Sequence, residues 1–272
     1  MITADYHLHS AFSSDSSTPL EEQVKAAITR YHLENMCVTD HMDFDFPDNP
    51  EGLTFLFDME NYLQEIHRLQ QQYKNQVHLY TGIELGLLPH LGPRLTSFME
   101  TYGTNLDFVI ASSHLVQGMD PYNPEFFETY GEKEGITLYL QTILDNITAF
   151  TDFDVYGHLD YVVRYAPHKD AHYVPSDYWD YFDAILQKLI TMGKGIELNT
   201  AGLKAGLSFA HPHPLVLKRY RELGGEILTI GSDGHCPEHL SYQFKQVPAI
   251  LKEAGFSYYT IFKGRKAEFL PL

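Results

Sequence analysis

The sequence has 272 residues, of which 44% are hydrophobic and 20% charged, a composition typical of a globular protein rather than of a disordered or repetitive chain. Its formal net charge is −17, which argues against general nucleic-acid binding, because that function needs a basic face. The chain has no 18-residue apolar stretch, no signal-peptide pattern after residue 1 and only two cysteines, so we expect a cytoplasmic protein without a membrane partner.

Strand-like and helical segments alternate along the whole chain. Short β-branched runs separated by amphipathic segments are typical of parallel βα units, and no Pro/Gly/Ser-rich linker divides the chain, so we expect one domain over residues 1–272. The predicted strands are Ala4–His9, Met36–His41, His78–Leu85, Asp107–His114, Phe153–Asp160, Gly195–Asn199 and Glu226–Asp233. Seven such units favour an α/β barrel, with a doubly wound open sheet as the alternative.

The helical segments between these strands carry start and stop signals. The segment STPLEEQVKAAITRYHL has Thr18 in the N-cap position, Pro19 at the first helical position and Glu21 in capping-box register. Further helices are predicted in DMENYLQEIHRLQQQY, GITLYLQTILDNITAF, HPLVLKRYREL and VPAILKEAG, and SDYWDYFDAILQKLITMG should begin at its Ser-Asp cap. The connections Met42–Phe57 and Val116–Gly135 are long, and long loops at a barrel mouth usually shape or cover a site.

The predicted strands end in histidines and carboxylates. His7 and His9 are two residues apart, so on a strand both side chains face the same side. The later strands add comparable groups at or just beyond their carboxyl ends: His41, Glu84, His114, His158, Glu197, Asp233 and His235. Because the carboxyl ends of parallel barrel strands meet at one face, we expect these groups to share one pocket. Such a mixture of ligands suits Zn²⁺, Fe²⁺ and Mn²⁺, and packing it together without cations would be unfavourable.

Six short motifs, DYHLHS, TDH, GIE, SSH, GHLD and GSDGH, occur in this order between Asp5 and His235. In these motifs the chain resembles the PHP (polymerase and histidinol phosphatase) superfamily. Its length and the segment ELNTAGLK resemble the stand-alone histidinol-phosphatase branch of that superfamily. The resemblance implies a distorted (β/α)7 barrel that binds three divalent metal ions, Zn, Mn or Fe, at the carboxyl ends of its strands.

The resemblance also implies how the ligands are distributed over the three metal positions. The first position would be held by His7, His9, Glu84 and Asp233. The second would be held by Glu84, His114 and His158, with Glu84 bridging. The third would be held by Asp15, His41 and His235. Many PHP proteins have a histidine where this chain has Asp15, so an oxygen ligand replaces a nitrogen ligand and makes that position harder.

The reaction implied by the resemblance is hydrolysis of the phosphomonoester L-histidinol phosphate to L-histidinol and phosphate, in histidine biosynthesis. A metal-bound hydroxide would attack phosphorus in line while the cations neutralise the phosphoryl oxygens. Asp233 and His235 are the candidates for proton transfer to the alkoxide leaving group, beside Glu84 as the bridging ligand. Phosphate also suits cationic side chains, for which Arg164, just beyond a strand end, is the first candidate and Lys204 the second.

Other functions are compatible with these motifs. Another PHP-type phosphoesterase would act on a nucleotide or a phosphotyrosine, and a nucleotide predicts an aromatic sandwich around the base. An amine-bearing substrate predicts carboxylates, which the acidic segments FDFPDNPE and GEKE would supply. A non-catalytic metal-binding module is disfavoured because every expected ligand position holds a competent residue. Amide-hydrolysing barrels usually carry a carboxylated lysine, whereas this chain has Glu84 at the corresponding strand end.

The other polar residues have simpler interpretations. Asp40 is expected to hold a backbone segment or to orient His41, and Glu197 to orient its neighbours. Asp160 is expected to support a ligand or to cap a helix. Four loop histidines are expected to contact solvent or substrate: His168, His172, His211 and His213. The Tyr-rich segments DYWDYF and SYYTIF are expected to pack in the core and against helices.

Overall fold

The computed structural model describes residues 2–48 and 52–272, and within them eight parallel strands form one sheet. The strands are β1 (Ala4–Asp5), β2 (Asn35–Val38), β3 (His41–Asp43), β4 (His78–Gly86), β5 (Phe108–Ser112), β6 (Val155–Tyr156), β7 (Gly195–Asn199) and β8 (Leu228–Gly231). Seven of them follow the order β1-β2-β4-β5-β6-β7-β8, and β3 pairs with β4 beyond the end of β2. The seven predicted strands are confirmed in place, most of them shorter than predicted, and β3 was not predicted.

The sheet closes because β8 returns to β1 through backbone hydrogen bonds. The amide of Tyr6 donates to the carbonyl of Ile230 at 2.9 Å, and the amide of Asp233 donates to the carbonyl of His7 at 2.8 Å. This nearly closed barrel confirms the predicted fold and rules out the open doubly wound sheet. All carboxyl ends of the barrel strands therefore meet at one mouth.

Eight α-helices within the described residues connect these strands. They are α1 (Leu20–Thr29), α2 (Met59–Tyr73), α3 (Gly92–Tyr102), α4 (Pro124–Ala149), α5 (Trp179–Thr191), α6 (Ala201–Lys204), α7 (Pro214–Glu222) and α8 (Val247–Glu253). Each predicted helix is present, whereas α3 and α6 were not predicted. In the described part of the chain, no helix combines the length and the apolar character needed to cross a membrane.

Two predicted helix starts are wrong. Helix α1 has Pro19 at its N-cap with no side-chain cap, because the hydroxyl of Thr18 donates instead to the carbonyl of His235 at 3.2 Å. Glu21 forms no capping box and pairs with Lys25 at 2.9 Å. The predicted Ser-Asp cap of α5 lies in a 3₁₀ turn, Pro175–Tyr178, that precedes the helix. In the first case a tertiary contact has displaced the local capping preference.

The predicted connection Val116–Gly135 is also too long. Helix α4 already begins at Pro124 and continues through a break at Gly131, whose φ of 71° favours glycine. The other predicted connection, Met42–Phe57, starts with part of β3, and its residues 49–51 lie outside the described residues. The connection between β5 and α4 is therefore shorter than the sequence indicated.

A glycine allows β2 and β4 to approach closely beneath the mouth. A Cβ atom at Gly82 would lie 2.6 Å from Cys37 Sγ and 2.8 Å from the carbonyl of Val38, so a side chain would not fit. The buried hydroxyl of Tyr62 on α2 donates to the Gly82 carbonyl at 2.9 Å and so ties α2 to β4 at this close approach. Glu84 follows two residues later on this restrained strand.

The chain ends in an antiparallel hairpin of β9 (Tyr258–Lys263) and β10 (Lys266–Pro271), which was not predicted. The hydroxyl of Tyr6 donates to the carbonyl of Phe262 at 2.9 Å, and the Phe108 and Phe262 rings lie 5.1 Å apart. SYYTIF is thus a core segment, as predicted, but it packs as a strand at the amino end of the barrel. The hairpin lies at the end opposite the mouth.

Candidate metal centre

The barrel mouth encloses a cavity of about 650 Å³. The predicted site residues that line it are Asp15, His41, Glu84, His114, His158, Arg164, Asp233 and His235. His7 and His9 lie beneath the cavity with 0% of their surface exposed, and both contact Glu84. The structure therefore brings together all nine residues predicted as metal ligands.

The Glu84 carboxylate lies at the centre of the histidine cluster and is fully buried. Its Oε2 atom faces ring nitrogens of His7 at 3.0 Å, His41 at 3.1 Å and His9 at 3.5 Å. Its Oε1 atom faces ring nitrogens of His158 at 3.1 Å and His114 at 3.2 Å. A carboxylate that presents a different oxygen to each of two histidine groups is suited to bridge two cations.

Two further carboxylates complete the cluster. Asp233 Oδ1 lies 3.4 Å from His9 Nε2 and 3.5 Å from His235 Nδ1. Asp15 Oδ2 lies 2.9 Å from His235 Nε2 and 3.6 Å from His41 Nε2. The His9 ring stacks against those of His41 and His235, with centroids 4.3 Å away in each case. The turn that carries Asp15 therefore reaches the same cluster as the strand ends.

The ligand atoms form overlapping groups that are tight enough to hold cations. In each group, one nitrogen or oxygen per residue lies within 4.8 Å of the others. The groups at the mouth are His7–His9–Asp233, His7–Glu84–His158, His9–His41–His235 and His41–Asp43–His114. They overlap with the three ligand sets that the family resemblance implies, and they add Asp43.

The carboxylates and imidazoles of the cluster shift one another's pKa values. Burial opposes ionisation of Glu84, but the neighbouring imidazoles, first of all His7, hold its pKa well below the usual range. Burial also opposes protonation of His7, yet the carboxylates of Glu197 and Glu84 raise its pKa well above the usual value. Burial lowers the pKa of His9 to about 3, so this ring is neutral at pH 7, the form that binds metal.

Several buried polar atoms have no hydrogen-bond partner among the described residues. At the mouth they are His158 Nδ1 and Asp43 Oδ1, together with His9 Nε2 and His41 Nδ1, which lie 3.5 and 3.1 Å from Glu84 Oε2 but without hydrogen-bond geometry. Leaving a buried polar atom unpaired costs about 1–3 kcal/mol, and native proteins rarely tolerate several together. Divalent cations would satisfy unpaired nitrogens and oxygens of this kind, so the residues present fit a metal centre.

Buried carboxylates around the cluster fix its side chains and turns. Glu197 Oε1 lies 2.6 Å from His7 Nδ1, which leaves His7 Nε2 directed at the cluster. Asp40 accepts hydrogen bonds from the backbone amide and the hydroxyl of Ser10, at 2.6 and 2.8 Å, and so holds the turn that follows β1. These contacts agree with the expectation that Glu197 orients a neighbour and Asp40 holds a backbone segment.

Asp43 is a site residue that the sequence interpretation missed. Its Oδ2 atom lies 2.5 Å from His114 Nδ1, and the residue lines the cavity. Asp43 follows His41 by two residues on β3, so both belong to the same face by the rule that pairs His7 with His9. The signal was present in the sequence, but assigning residues 42–57 to a loop concealed it.

We expect Asp43→Asn to weaken Zn²⁺ binding at the mouth by about 10- to 100-fold, because the contact that orients His114 loses its charge. Equilibrium dialysis against Zn²⁺ followed by metal analysis measures this effect. Asp145→Asn, on the exposed surface of α4, is the matched control and should bind as the wild type does. Unchanged affinity in Asp43→Asn would show that His114 does not depend on this carboxylate.

The two predicted phosphate-binding cations differ in position. Arg164 lines the cavity, with its guanidinium 4.1 Å from the ring centroid of Tyr161 and Nη1 3.4 Å from Asp233 Oδ2. Lys204 donates instead to the carbonyl of Asp233 at 2.7 Å and is not among the described residues that line the cavity. In this geometry Lys204 supports the loop that carries Asp233, whereas Arg164 lies at the surface of the cavity.

His211 and His213 pack around Asp160 and do not line the cavity in the described structure. His211 is fully buried, and its Nδ1 lies 2.6 Å from Asp160 Oδ1. Asp160 Oδ2 accepts a hydrogen bond from the amide of His213 at 2.7 Å. The expectation that His211 contacts solvent or substrate is therefore wrong, and Asp160 ties the segment after β6 to the loop before α7.

The acidic side chains at the cavity rim come from partly unexpected positions. Asp48 of the segment FDFPDNPE lines the cavity, while residues 49–51 of that segment lie outside the described residues. The segment GEKE does not line the cavity, and its Glu132 pairs with two exposed histidines. Asp120 and Glu125, which the sequence interpretation did not single out, also line it.

Comparisons with known proteins agree with this architecture. The model of the PHP domain family matches residues 5–201. A histidinol-phosphatase from Lactococcus lactis subsp. lactis (strain IL1403) is 31% identical to this chain, and the alignment covers 97% of this chain and 96% of the relative. A probable histidinol-phosphatase from Clostridium acetobutylicum is 32% identical, and the alignment covers 89% of both chains. The crystal structure of histidinol phosphate phosphatase from Lactococcus lactis, complexed with zinc, L-histidinol and phosphate, matches with a TM-score of 0.87 at 31% identity and covers 98% of both chains.

Proposed function

This chain belongs to the PHP domain family, and from that premise we propose that it is a metal-dependent histidinol-phosphatase. It hydrolyses L-histidinol phosphate to L-histidinol and phosphate in histidine biosynthesis, with residues 1–272 acting as one PHP-type domain in the cytoplasm. The observation that carries the proposal is the buried Glu84 carboxylate among five imidazoles at the floor of a cavity lined by Arg164. The relative complexed with zinc, L-histidinol and phosphate, which matches nearly the whole chain, supports the choice of substrate.

We propose three divalent ions, Zn, Mn or Fe, shared among the residues of the cluster. One is held by His7, His9, Glu84 and Asp233, one by Glu84, His114 and His158, and one by Asp15, His41 and His235. The contacts of both Glu84 oxygens with separate histidines support the bridging role. Asp15 meets both His41 and His235, which supports its place in the third set.

Bound divalent ions supply a nucleophile from water at neutral pH and offset the charge of the phosphoryl group. The protein adds a fixed cation, because the Arg164 guanidinium lies over the Tyr161 ring and presents a planar fork to phosphate oxygens. Of the two candidates for proton transfer to the leaving alkoxide, Asp233 or His235, we propose His235. Burial opposes ionisation of Asp233, but the contact with His9 and the other neighbouring positive charges hold its pKa well below the usual range. Both candidates line the cavity, and His235 Nδ1 lies 3.1 Å from the Asp233 carbonyl, which fixes the ring.

The rim of the cavity suits the cationic end of the substrate. Asp48, Asp120 and Glu125 place carboxylates around the opening, so the amine and imidazole of histidinol phosphate meet negative charge while its phosphate meets Arg164. Burial raises the pKa of Asp120, and a cationic partner would stabilise its ionised form. A substrate with charges of opposite sign at its two ends fits this division of the cavity.

The test of the proposed function is phosphate release from a panel of phosphomonoesters, with and without chelator. We expect histidinol phosphate to give the highest kcat/KM, chelation to abolish turnover, and added Zn²⁺ or Mn²⁺ to restore it. Preference for a nucleoside monophosphate or phosphotyrosine would instead indicate another PHP-type phosphoesterase. No release from any ester by the metal-loaded protein would indicate a non-catalytic metal-binding module.

A further inference from the structure

A second group of metal-binding side chains lies on the surface, apart from the barrel mouth. Glu132 Oε2 lies 3.0 Å from His168 Nδ1 and 3.1 Å from His172 Nδ1. The two imidazole rings stack with centroids 4.0 Å apart, and one ligand atom from each of the three residues lies within 4.8 Å of the others. None of these three described residues lines the cavity.

The local backbone fixes this arrangement. Gly131 breaks α4 with a φ of 71°, and Glu132 begins the following part of the helix. Glu132 Oε1 accepts a hydrogen bond from the backbone amide of His168 at 2.6 Å, so the carboxylate is anchored and Oε2 is left to the imidazoles. His168 and His172 flank a 3₁₀ turn, Lys169–Ala171, which brings both rings to the same side.

The spacing of these atoms is close to that of a bound metal ion. A tetrahedral zinc ion with bonds of about 2.0–2.1 Å separates its ligand atoms by about 3.3–3.4 Å. The observed separations of 3.0 and 3.1 Å from Glu132 Oε2 are only a few tenths of an ångström shorter. Both histidine side chains are more than half exposed, at 59% and 58%, so small outward rotations would admit an ion.

The donor set itself suits a divalent cation. Two imidazole nitrogens and one carboxylate oxygen converge at the surface, and imidazole and carboxylate are both ligand types that zinc accepts. Two nitrogen ligands, one oxygen ligand and open positions for water are typical of an accessible zinc site. We propose that Glu132, His168 and His172 form a peripheral site for Zn²⁺, independent of the metal positions at the mouth and of the reaction catalysed there.

Dialysis of the protein carrying its mouth ions against a series of free Zn²⁺ concentrations tests the proposal. We expect the wild type to take up one more equivalent of Zn²⁺ per chain, with affinity at least about tenfold weaker in His172→Ala. His67→Ala removes an exposed histidine from α2 and should leave the extra equivalent unchanged. Phosphate release before Zn²⁺ addition should be the same in all three proteins, because neither residue lies at the mouth.

A second variant tests the carboxylate separately. Glu132→Gln keeps an oxygen to accept the hydrogen bond from the His168 amide but removes the charge. It should therefore also lower the affinity for the additional Zn²⁺ ion at least about tenfold. The same Zn²⁺ uptake in wild type, His172→Ala and Glu132→Gln would overturn the proposal. An equal loss of uptake in His67→Ala would overturn it as well.

Discussion

Replacing Glu84 by glutamine is expected to lower kcat/KM for histidinol phosphate by at least about 10³-fold and to leave the purified protein deficient in metal. Glu84 is the residue on which both histidine groups converge, with contacts of 3.0–3.5 Å to five imidazoles. An amide has one oxygen and no charge, so it cannot bridge two cations. Being neutral, the amide also cannot offset the positive charge of divalent cations bound in the cluster.

Steady-state kinetics and metal analysis of the same preparation separate the two effects of Glu84→Gln. The substitution keeps the side-chain volume at a fully buried position. Thermal unfolding monitored by circular dichroism checks that the barrel remains folded. Glu100→Gln, on the exposed surface of α3, is the matched control and should behave as the wild type. Full metal content with activity within about tenfold of wild type would exclude Glu84 as the bridging ligand.

Most of the metal centre was predictable because the barrel converts sequence spacing into proximity. His7 and His9 share one face of a strand, and the parallel strands bring groups as distant along the chain as Glu84 and Asp233 to the same mouth. The order and direction of the strands determine which strand ends meet, so individual side-chain contacts are not needed to predict the pocket. The family resemblance added a division of the ligands into three sets, which stays a prediction, because the close groups His7–Glu84–His158 and His9–His41–His235 each combine members of two sets.

The features that sequence reasoning missed depend on tertiary contacts. Thr18 has the local signature of an N-cap, but its hydroxyl donates to the carbonyl of His235, which lies 217 residues further along the chain. Asp43 was hidden because the three-residue strand β3 is stabilised by pairing with β4 rather than by a long apolar run. The segment Val116–Gly135 is rich in Pro, Tyr and Glu and has the composition of a loop, although α4 begins within it at Pro124 and is interrupted only at Gly131. Periodicity in the sequence does not report such contacts.

Replacing Arg164 by alanine is expected to lower kcat/KM by about 10²-fold, because one fixed donor to the phosphoryl group is lost. The same variant should be inhibited more weakly by inorganic phosphate, with an inhibition constant about 10- to 100-fold higher, since a hydrogen bond to a charged group is worth about 1.5–3 kcal/mol. Arg164→Lys should recover only part of both effects. A lysine keeps the charge but loses the planar fork and the stacking on Tyr161.

Phosphate inhibition distinguishes binding by Arg164 from indirect support of Asp233, whose Oδ2 atom lies 3.4 Å from the guanidinium. If Arg164→Ala lowers kcat while the inhibition constant for phosphate stays unchanged, the arginine positions Asp233 and does not bind the phosphoryl group. Lys204→Met should change phosphate inhibition less than Arg164→Ala does, because its ammonium donates to the carbonyl of Asp233 rather than into the cavity. Arg30→Ala removes an exposed arginine paired with Glu238 and serves as the control for loss of positive charge alone.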